Sequence, residues 1–322
     1  MQRSLTGIKP SNAPHLGNYL GAIRPALRLA EEYESFLFIA DYHAMTSLRD
    51  AAAMREFTYD VAATWLACGL DPAKVHLYRQ SDVVEVFELS WVLACLIATG
   101  QLERGVSYKD AMAKGESPNA GTFTYPVLMA ADIILYDADV VPVGRDQLQH
   151  LEVARDAAAR FNHVFGGEIL TVPAPRITEA PLVPGTDGEK MSKSKGNGIP
   201  LFAPPKKLRK VAMKIVTASD PLEAPTAAKG STVYELYRLV ASDTQVAEME
   251  ANLLRADYGW GHAKQALYEA LEAELGPRRE KYEALRADEA ELDRLLREGA
   301  DRARPIARAT MDRVRRAVGI TR

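Results

Sequence analysis

Three sets of residues in this chain have types and spacings that could do chemistry. The first is the turn Lys9-Pro10-Ser11-Asn12-Ala13-Pro14-His15-Leu16-Gly17-Asn18. A strand-to-helix turn in a parallel sheet aims backbone N–H groups and a positive helix end into a crevice where a phosphate can sit. His15 and Asn18 lie three apart, so both can donate into that crevice, and Gly17 lets a ligand approach the backbone. The same residues also fit a plain Pro/Gly turn with a capping Asn. The second set is Lys190-Met191-Ser192-Lys193-Ser194. Two lysines three apart, between small hydroxyl residues, make a cationic arm suited to polyphosphate, or simply a solvated Lys/Ser loop. The third is Asp132, inside an apolar run, with Tyr125 and Met129 on the same helical face at i, i+4 and i+7. A carboxylate there is costly unless partnered, so it is either functional or a cap or internal partner for an arginine.

Other devices are absent. The chain has no GxGxxG, and Gly185-Thr186-Asp187-Gly188-Glu189-Lys190-Met191-Ser192 has the wrong spacing for a GxxxxGK[ST] loop. Cys68 and Cys95 have no neighbours at metal-ligand spacing and are expected as two reduced core thiols. The 322 residues are 47% apolar and 26% charged, a globular composition. A net charge of −3 excludes a wholly basic nucleic-acid binder and argues against DNA as a partner, but leaves room for local basic surfaces. The longest apolar stretch, Val127 to Val143, is broken by Asp132, Asp137 and Asp139, so no membrane span is expected and the chain reads as cytoplasmic.

The elements that must position these residues alternate in the first half. Strands are expected at Arg3–Thr6, Phe36–Ala40, Val75–Tyr78 and Val140–Val143. Helices are expected at about Gly17–Tyr33, Ala51–Cys68, Val86–Thr99, Tyr125–Ala138 and Asp146–Val164. That pattern predicts an α/β fold, a Rossmann-like doubly wound parallel sheet. Leu170 to Gly198, rich in Pro and Gly, reads as a long irregular connection. Beyond it the pattern is helical: about Pro205–Ile215, Val233–Val240, Gln245–Leu254, Trp260–Leu275, Arg278–Arg286, Glu289–Glu298 and Pro305–Val318.

A Pro-His-Leu-Gly-Asn turn followed, after the sheet, by Lys-Met-Ser-Lys-Ser resembles the signature pair of class I aminoacyl-tRNA synthetases, with Asn18 replacing the second histidine. Four segments narrow the resemblance: Gly7–Ser11, His15–Ala22, Tyr125–Ile133 and Pro142–Leu151 are similar to the bacterial tryptophanyl-tRNA synthetases. The resemblance runs from about Leu5 to the C-terminus. It implies activation of L-tryptophan with ATP and Mg²⁺, transfer to tRNA(Trp), and a homodimer. No protein metal site is expected, since Mg²⁺ would sit mainly on ATP oxygens.

On the residues of this chain, the resemblance implies that Lys190 and Lys193 act on the β/γ-phosphates, with His15 and Asn18 opposite; these four are the catalytic candidates. It assigns ATP to Lys9, Pro10, Ser11, Gly17, Asn18, Gly144, Arg145, Asp146, Leu182, Lys190, Met191, Ser192, Lys193 and Ser194. Within that set, Asp146 and Gly144 would hold the ribose and Leu182 would meet adenine. Tryptophan falls to Asp132, Tyr125, Met129, Gln147, His43 and Gly7. Asp132 would accept the indole N–H, Gln147 and Tyr125 would hold the α-amino group, and His43 would flank the ring. Asp146 also fits as a helix N-cap and His43 as a structural histidine. Lys9 departs from the family's Gln, and Ala111 from a frequent Lys that Lys109 or Lys114 could replace. The domains implied are 1–185, catalytic, with an insertion at about 101–140 for the dimer; 186–295, helical and anticodon-binding; and 296–322, a helix packing back. Lys206, Lys207, Arg209, Lys210 and Lys214, and the C-terminal Arg302, Arg304, Arg308, Arg313, Arg315, Arg316 and Arg322, form basic faces suited to a phosphate backbone or to internal pairing. Tyrosyl-tRNA synthetases, small nucleotidylyltransferases and a catalytically idle paralogue remain the alternatives.

Overall fold

Phe36-Leu37-Phe38-Ile39 is apolar at every position because both faces of its strand are covered. In the computed structural model, Phe36 and Phe38 join one core and Leu37 and Ile39 the other, the period of two that a strand imposes. The structure describes residues 1–10, 14–115, 117–143, 148–177, 183–192, 195–217, 228–255 and 257–320.

The chain runs β1 (Arg3–Ile8), α1 (Leu16–Asn18), a π-helical turn (Tyr19–Ile23), α2 (Arg24–Glu32), β2 (Glu34–Ile39), α3 (Asp41–Ala44), α4 (Ala51–Ala67) and β3 (His76–Arg79). A 3₁₀ turn (Gln80–Asp82) leads to α5 (Glu85–Ala94), α6 (Thr99–Leu102), α7 (Val106–Ala113), α8 (Ala120–Ile134), β4 (Val140–Val143), α9 (Leu148–Phe165) and β5 (Ala174–Ile177). The remainder is helical: α10 (Pro205–Met213), α11 (Thr232–Val240), α12 (Asp243–Leu253), α13 (Trp260–Arg286) and α14 (Glu289–Val318). The strands pair in parallel in the order β3-β2-β1-β4-β5, with Arg3 opposite Glu34 and Ile8 opposite Ile39. In such a sheet the order reverses beside β1, and a ligand finds its crevice at the carboxyl ends of β1 and β4.

β5 lies where the proline-rich stretch predicts an irregular connection. Pro175 stands opposite Val141, and β5 is an edge strand, where a missing N–H is tolerated. α13 and α14 each continue through a proline, Pro277 and Pro305, where the residue types predict a break. A mid-helix proline costs about 3 kcal/mol. In α14 the fully buried apolar stripe continues on both sides, through Leu296 and Met311; in α13 the fully buried Leu271 and Leu275 lead into the proline, and Arg279 beyond it is buried against the Ala203 carbonyl. At about 1.5–3 kcal/mol for each large side chain, that burial outweighs the break.

One core joins Leu37, Trp65 and Leu77 to Val233, Leu271 and Leu296 of the helical half; the other joins Phe36, Phe38 and Tyr78 to Ala300, Ala307 and Met311 of α14. α14 lies against β3 so closely that a Cβ on Gly299 would stand 1.8 Å from the Leu77 carbonyl oxygen. Cys68 is buried, which pushes its thiol up to about 12. Cys95, expected in the core, is exposed, because it is the C-cap of α5 rather than an inward position. No helix among the described residues is long and apolar enough to cross a membrane.

Candidate functional site

Gly7 sits near the carboxyl end of β1, where a Cβ would stand 2.5 Å from the Phe38 ring and force that ring to move. His15 is the N-cap of α1. Its Nδ1 accepts from the Asn18 N–H at 3.3 Å, and Asn18 Oδ1 accepts from the His15 N–H at 3.0 Å. The capping and phosphate-donor readings therefore share the same two side chains, which the reciprocal cap fixes at the helix mouth.

The Lys-Met-Ser segment is folded back onto this turn. The Gly17 N–H points at Met191 Sδ across 3.2 Å. Leu16 N–H donates to the Ile199 carbonyl at 2.8 Å, and Leu201 N–H to the Pro14 carbonyl at 3.1 Å. Met191 is buried and acts as the joint, while Lys190 beside it is exposed. Asn197, a residue the sequence did not single out, holds the loop's shape. Its Oδ1 accepts from Ser192 N–H at 2.8 Å, and its Nδ2 donates to Asp187 at 2.8 Å and to the Lys190 carbonyl at 3.3 Å. Gly185 packs so tightly on Asn197 that a Cβ would lie 2.3 Å from its Nδ2.

Beside this junction is a buried polar cluster. Asp132 on α8 receives His43 Nε2 at 2.8 Å and Gln80 Nε2 at 2.8 and 3.0 Å. All three residues are buried. Burial raises the Asp132 carboxyl above its ordinary pKa, and the bonds from His43 and Gln80 offset only part of that rise. The His43 ring meets Tyr125 edge-on with centroids 6.3 Å apart, and Lys9 Nζ lies 5.9 Å from the Tyr125 ring centre. Tyr125 and Met129 are half-buried on the same helix. The cluster connects to the turn through Lys9, whose pKa is lowered by the protein packed around it.

The profile of class I tRNA synthetases for tryptophan and tyrosine matches residues 2–276. The chain belongs to this family.

Within it, the chain is 48% identical over 330 aligned positions to the tryptophan–tRNA ligase of Xylella fastidiosa, covering 99% of this chain and 76% of that relative. It is 46% identical to the tryptophan–tRNA ligase of Rhodopirellula baltica, covering 99% of each. The crystal structure of tryptophanyl-tRNA synthetase from Campylobacter jejuni with ADP and tryptophan superposes with a TM-score of 0.94, at 42% identity, over 99% of this chain and 100% of that one. The fold is that of a class I synthetase with a helical C-terminal region.

Against that family frame, the structure brings together Gly7, Lys9, Pro10, His15, Gly17, Asn18, Lys190, Met191 and Ser192 at the turn and loop, and His43, Tyr125, Met129 and Asp132 beside them. Ser11, Gly144, Arg145, Asp146, Gln147, Leu182, Lys193 and Ser194 lie outside the described residues. A cavity of about 320 Å³ is lined by Gly7, Lys9, Asn18, Ile23, Thr64 and Trp65. Among the described residues no group of three His, Cys, Asp or Glu could hold a metal ion. Gln80 and Asn197 escaped the sequence because each is a lone amide; only their partners give them meaning.

The C-terminal arginines are largely committed inside the fold. Arg302 donates to the Pro72 and Val75 carbonyls and Arg304 to the Asp82 carbonyl. Arg308 pairs with Glu85, Arg313 with Asp137 and Arg315 with Glu88. α10 presents Lys206, Lys207, Arg209, Lys210 and the following Lys214 as exposed side chains over a buried Leu208 and Ala212, whereas the exposed Arg302 and Arg308 of α14 are already bonded to the fold.

Proposed function

We infer that this chain catalyses tryptophan–tRNA ligation. A carboxylate oxygen of L-tryptophan attacks the α-phosphorus of ATP in line, the bond to the bridging oxygen breaks, and pyrophosphate leaves. The adenylate then passes its acyl group to the 3′ end of tRNA(Trp), releasing AMP. The observation that carries this reading is the junction of Gly17 with Met191, which puts the two class I motifs on one crevice beside the buried Asp132.

Catalysis of this kind needs positioning and charge stabilisation rather than covalent help. On our reading Lys190 and Lys193 grip the β- and γ-phosphates, with His15 and Asn18 opposite. Gly144, Arg145 and Asp146 take the ribose side, Leu182 meets adenine, and Mg²⁺ rides on the triphosphate. Asp132 accepts the indole N–H, Tyr125 and Gln147 hold the α-amino group, and Lys9 faces the substrate carboxylate. Its position against the Tyr125 ring supports that last role. A buried acceptor can reject amino acids lacking a ring N–H by up to roughly 10⁴–10⁵, whereas size alone gives only roughly 10–200 per methylene, so no editing step is invoked.

The homodimer reading gains support from α5. Val84, Phe87 and Trp91 form one apolar stripe, and Trp91 is 73% exposed, far more than an isolated monomer favours. This stripe precedes the 101–140 segment that the resemblance suggested. The exposed lysines of α10 are our candidate surface for the tRNA backbone, and a cytoplasmic location fits a translation enzyme. Pyrophosphate exchange with each of the twenty amino acids tests the reading: only tryptophan should support rapid exchange, and equal exchange with tyrosine, or none at all, would overturn it.

A further inference from the structure

The amide of Gln80 is arranged in an unusual way for a buried glutamine. It is the first residue of the 3₁₀ turn after β3 and is 2% exposed. Its Nε2 lies 2.8 Å from Asp132 Oδ1 and 3.0 Å from Asp132 Oδ2, so one nitrogen straddles both carboxylate oxygens. A carboxylate only accepts, so the group facing it must be the N–H₂ end and not the carbonyl. That choice has a consequence on the other side of the amide: Gln80 Oε1 is buried and, among the described residues, has no hydrogen-bond partner. A glutamine that merely filled the core would be expected to satisfy its carbonyl, because a buried acceptor without a donor is costly. The amide is thereby oriented with its donor on Asp132.

We propose that Gln80 is a positioning residue for tryptophan selection, holding Asp132 as an oriented, ionised acceptor for the ring N–H. The proposal rests on the assignment of Asp132 to the indole. His43 Nε2 approaches one oxygen only, at 2.8 Å, and fixes one edge of the carboxylate. Gln80 reaches both oxygens and so fixes its rotation. Without that second restraint the carboxylate can turn about its own axis or take up a proton, and either change blunts the distinction between an amino acid that carries a ring N–H and one that does not.

The test uses tryptophan and its sulfur isostere, 3-(benzothienyl)alanine, which has nearly the same shape and no ring N–H. Exchange kcat/KM is measured for both on the same preparation of the full-length enzyme. The ratio is then independent of how much of a variant is correctly folded. Wild type is expected to prefer tryptophan by at least about 100-fold. Gln80→Met, close in size but without a donor, should lower that preference at least tenfold while KM for ATP stays within twofold. Gln80→Glu keeps the size, sets a carboxylate against a carboxylate, and should lower it too. Asp132→Asn locates a failure. If wild type discriminates and Asp132→Asn abolishes the preference but both Gln80 variants retain it, the role of Gln80 is overturned and that of Asp132 stands. If wild type does not discriminate, the assignment of Asp132 falls and the proposal with it.

Discussion

The backbone N–H of Gly17 points at the sulfur of Met191 across 3.2 Å, joining segments 174 residues apart in the chain. The contact places a strand-to-helix turn and a lysine-bearing loop on one crevice at the end of β1. The loop's position depends on Met191 as a joint and on Asn197 as its internal brace.

Asn197→Ala removes that brace. Three hydrogen bonds are lost, those between Asn197 and the Ser192 N–H, Asp187 and the Lys190 carbonyl. KM for ATP is expected to rise about tenfold, roughly 1.4 kcal/mol of lost positioning, with tryptophan affinity unchanged. Steady-state exchange kinetics varying each substrate separately reads the split; equal effects on both would count against the brace.

Lys193→Ala should lower the single-turnover rate of adenylate formation by roughly 10²–10³, the scale of one lost charge-stabilising group, and leave tryptophan binding nearly intact. A normal rate for that variant removes Lys193 from the phosphate machinery.

Tryptophan binding should depend on pH through Asp132. Burial raises its carboxyl pKa above the usual aspartate value. The proton therefore returns earlier as pH falls, and with it the full-strength acceptor is lost. Tryptophan affinity is expected to decline on the acid side at a pH where ordinary carboxylates are still ionised, and to be flat above it. Asp132→Asn should weaken tryptophan binding by roughly 10² and abolish the acid limb. Equilibrium dialysis across about pH 4.5–8 provides the check, and an identical limb in the variant would assign the titration elsewhere.

Much of this was legible in the residues, and the misses have identifiable causes. The continuous apolar run Phe36–Ile39, the helix expected over Ala51–Cys68 and the two motifs around His15 and Lys190 are local signals, and local chemistry is what spacing reports. β5 was missed because Pro173 and Pro175 hide a strand whose place at the edge makes them harmless. The continuity of α13 and α14 was missed because burial beyond Pro277 and Pro305 depends on distant partners. The C-terminal arginines look like a nucleic-acid face in sequence; their carboxylates, Glu85, Glu88 and Asp137, come from elements more than 170 residues earlier. His43 and Asp132 could each be named from the motifs, but their mutual bond, and Gln80 between β3 and α5, emerge only once the chain is folded.

This difference between the two basic faces is itself testable. Changing Lys206, Lys207 and Lys210 together to Gln should weaken tRNA(Trp) binding about tenfold near 0.1 M salt and flatten its salt dependence by about 2–3 units of log–log slope. Tryptophan-dependent exchange should be unaffected. Arg315→Gln, which removes the ion pair with Glu88, should lower the melting temperature without changing the salt slope. Filter binding at several salt concentrations, with thermal melts, separates the two surfaces.

The most direct measurement of the central claim is a crystal structure with tryptophan and a non-hydrolysable ATP analogue bound together. The triphosphate should lie between the His15–Asn18 turn and the Lys190–Lys193 loop, with the indole nitrogen within hydrogen-bonding distance of Asp132. A triphosphate that touches only one of the two motifs, or an indole ring turned away from Asp132, would contradict it.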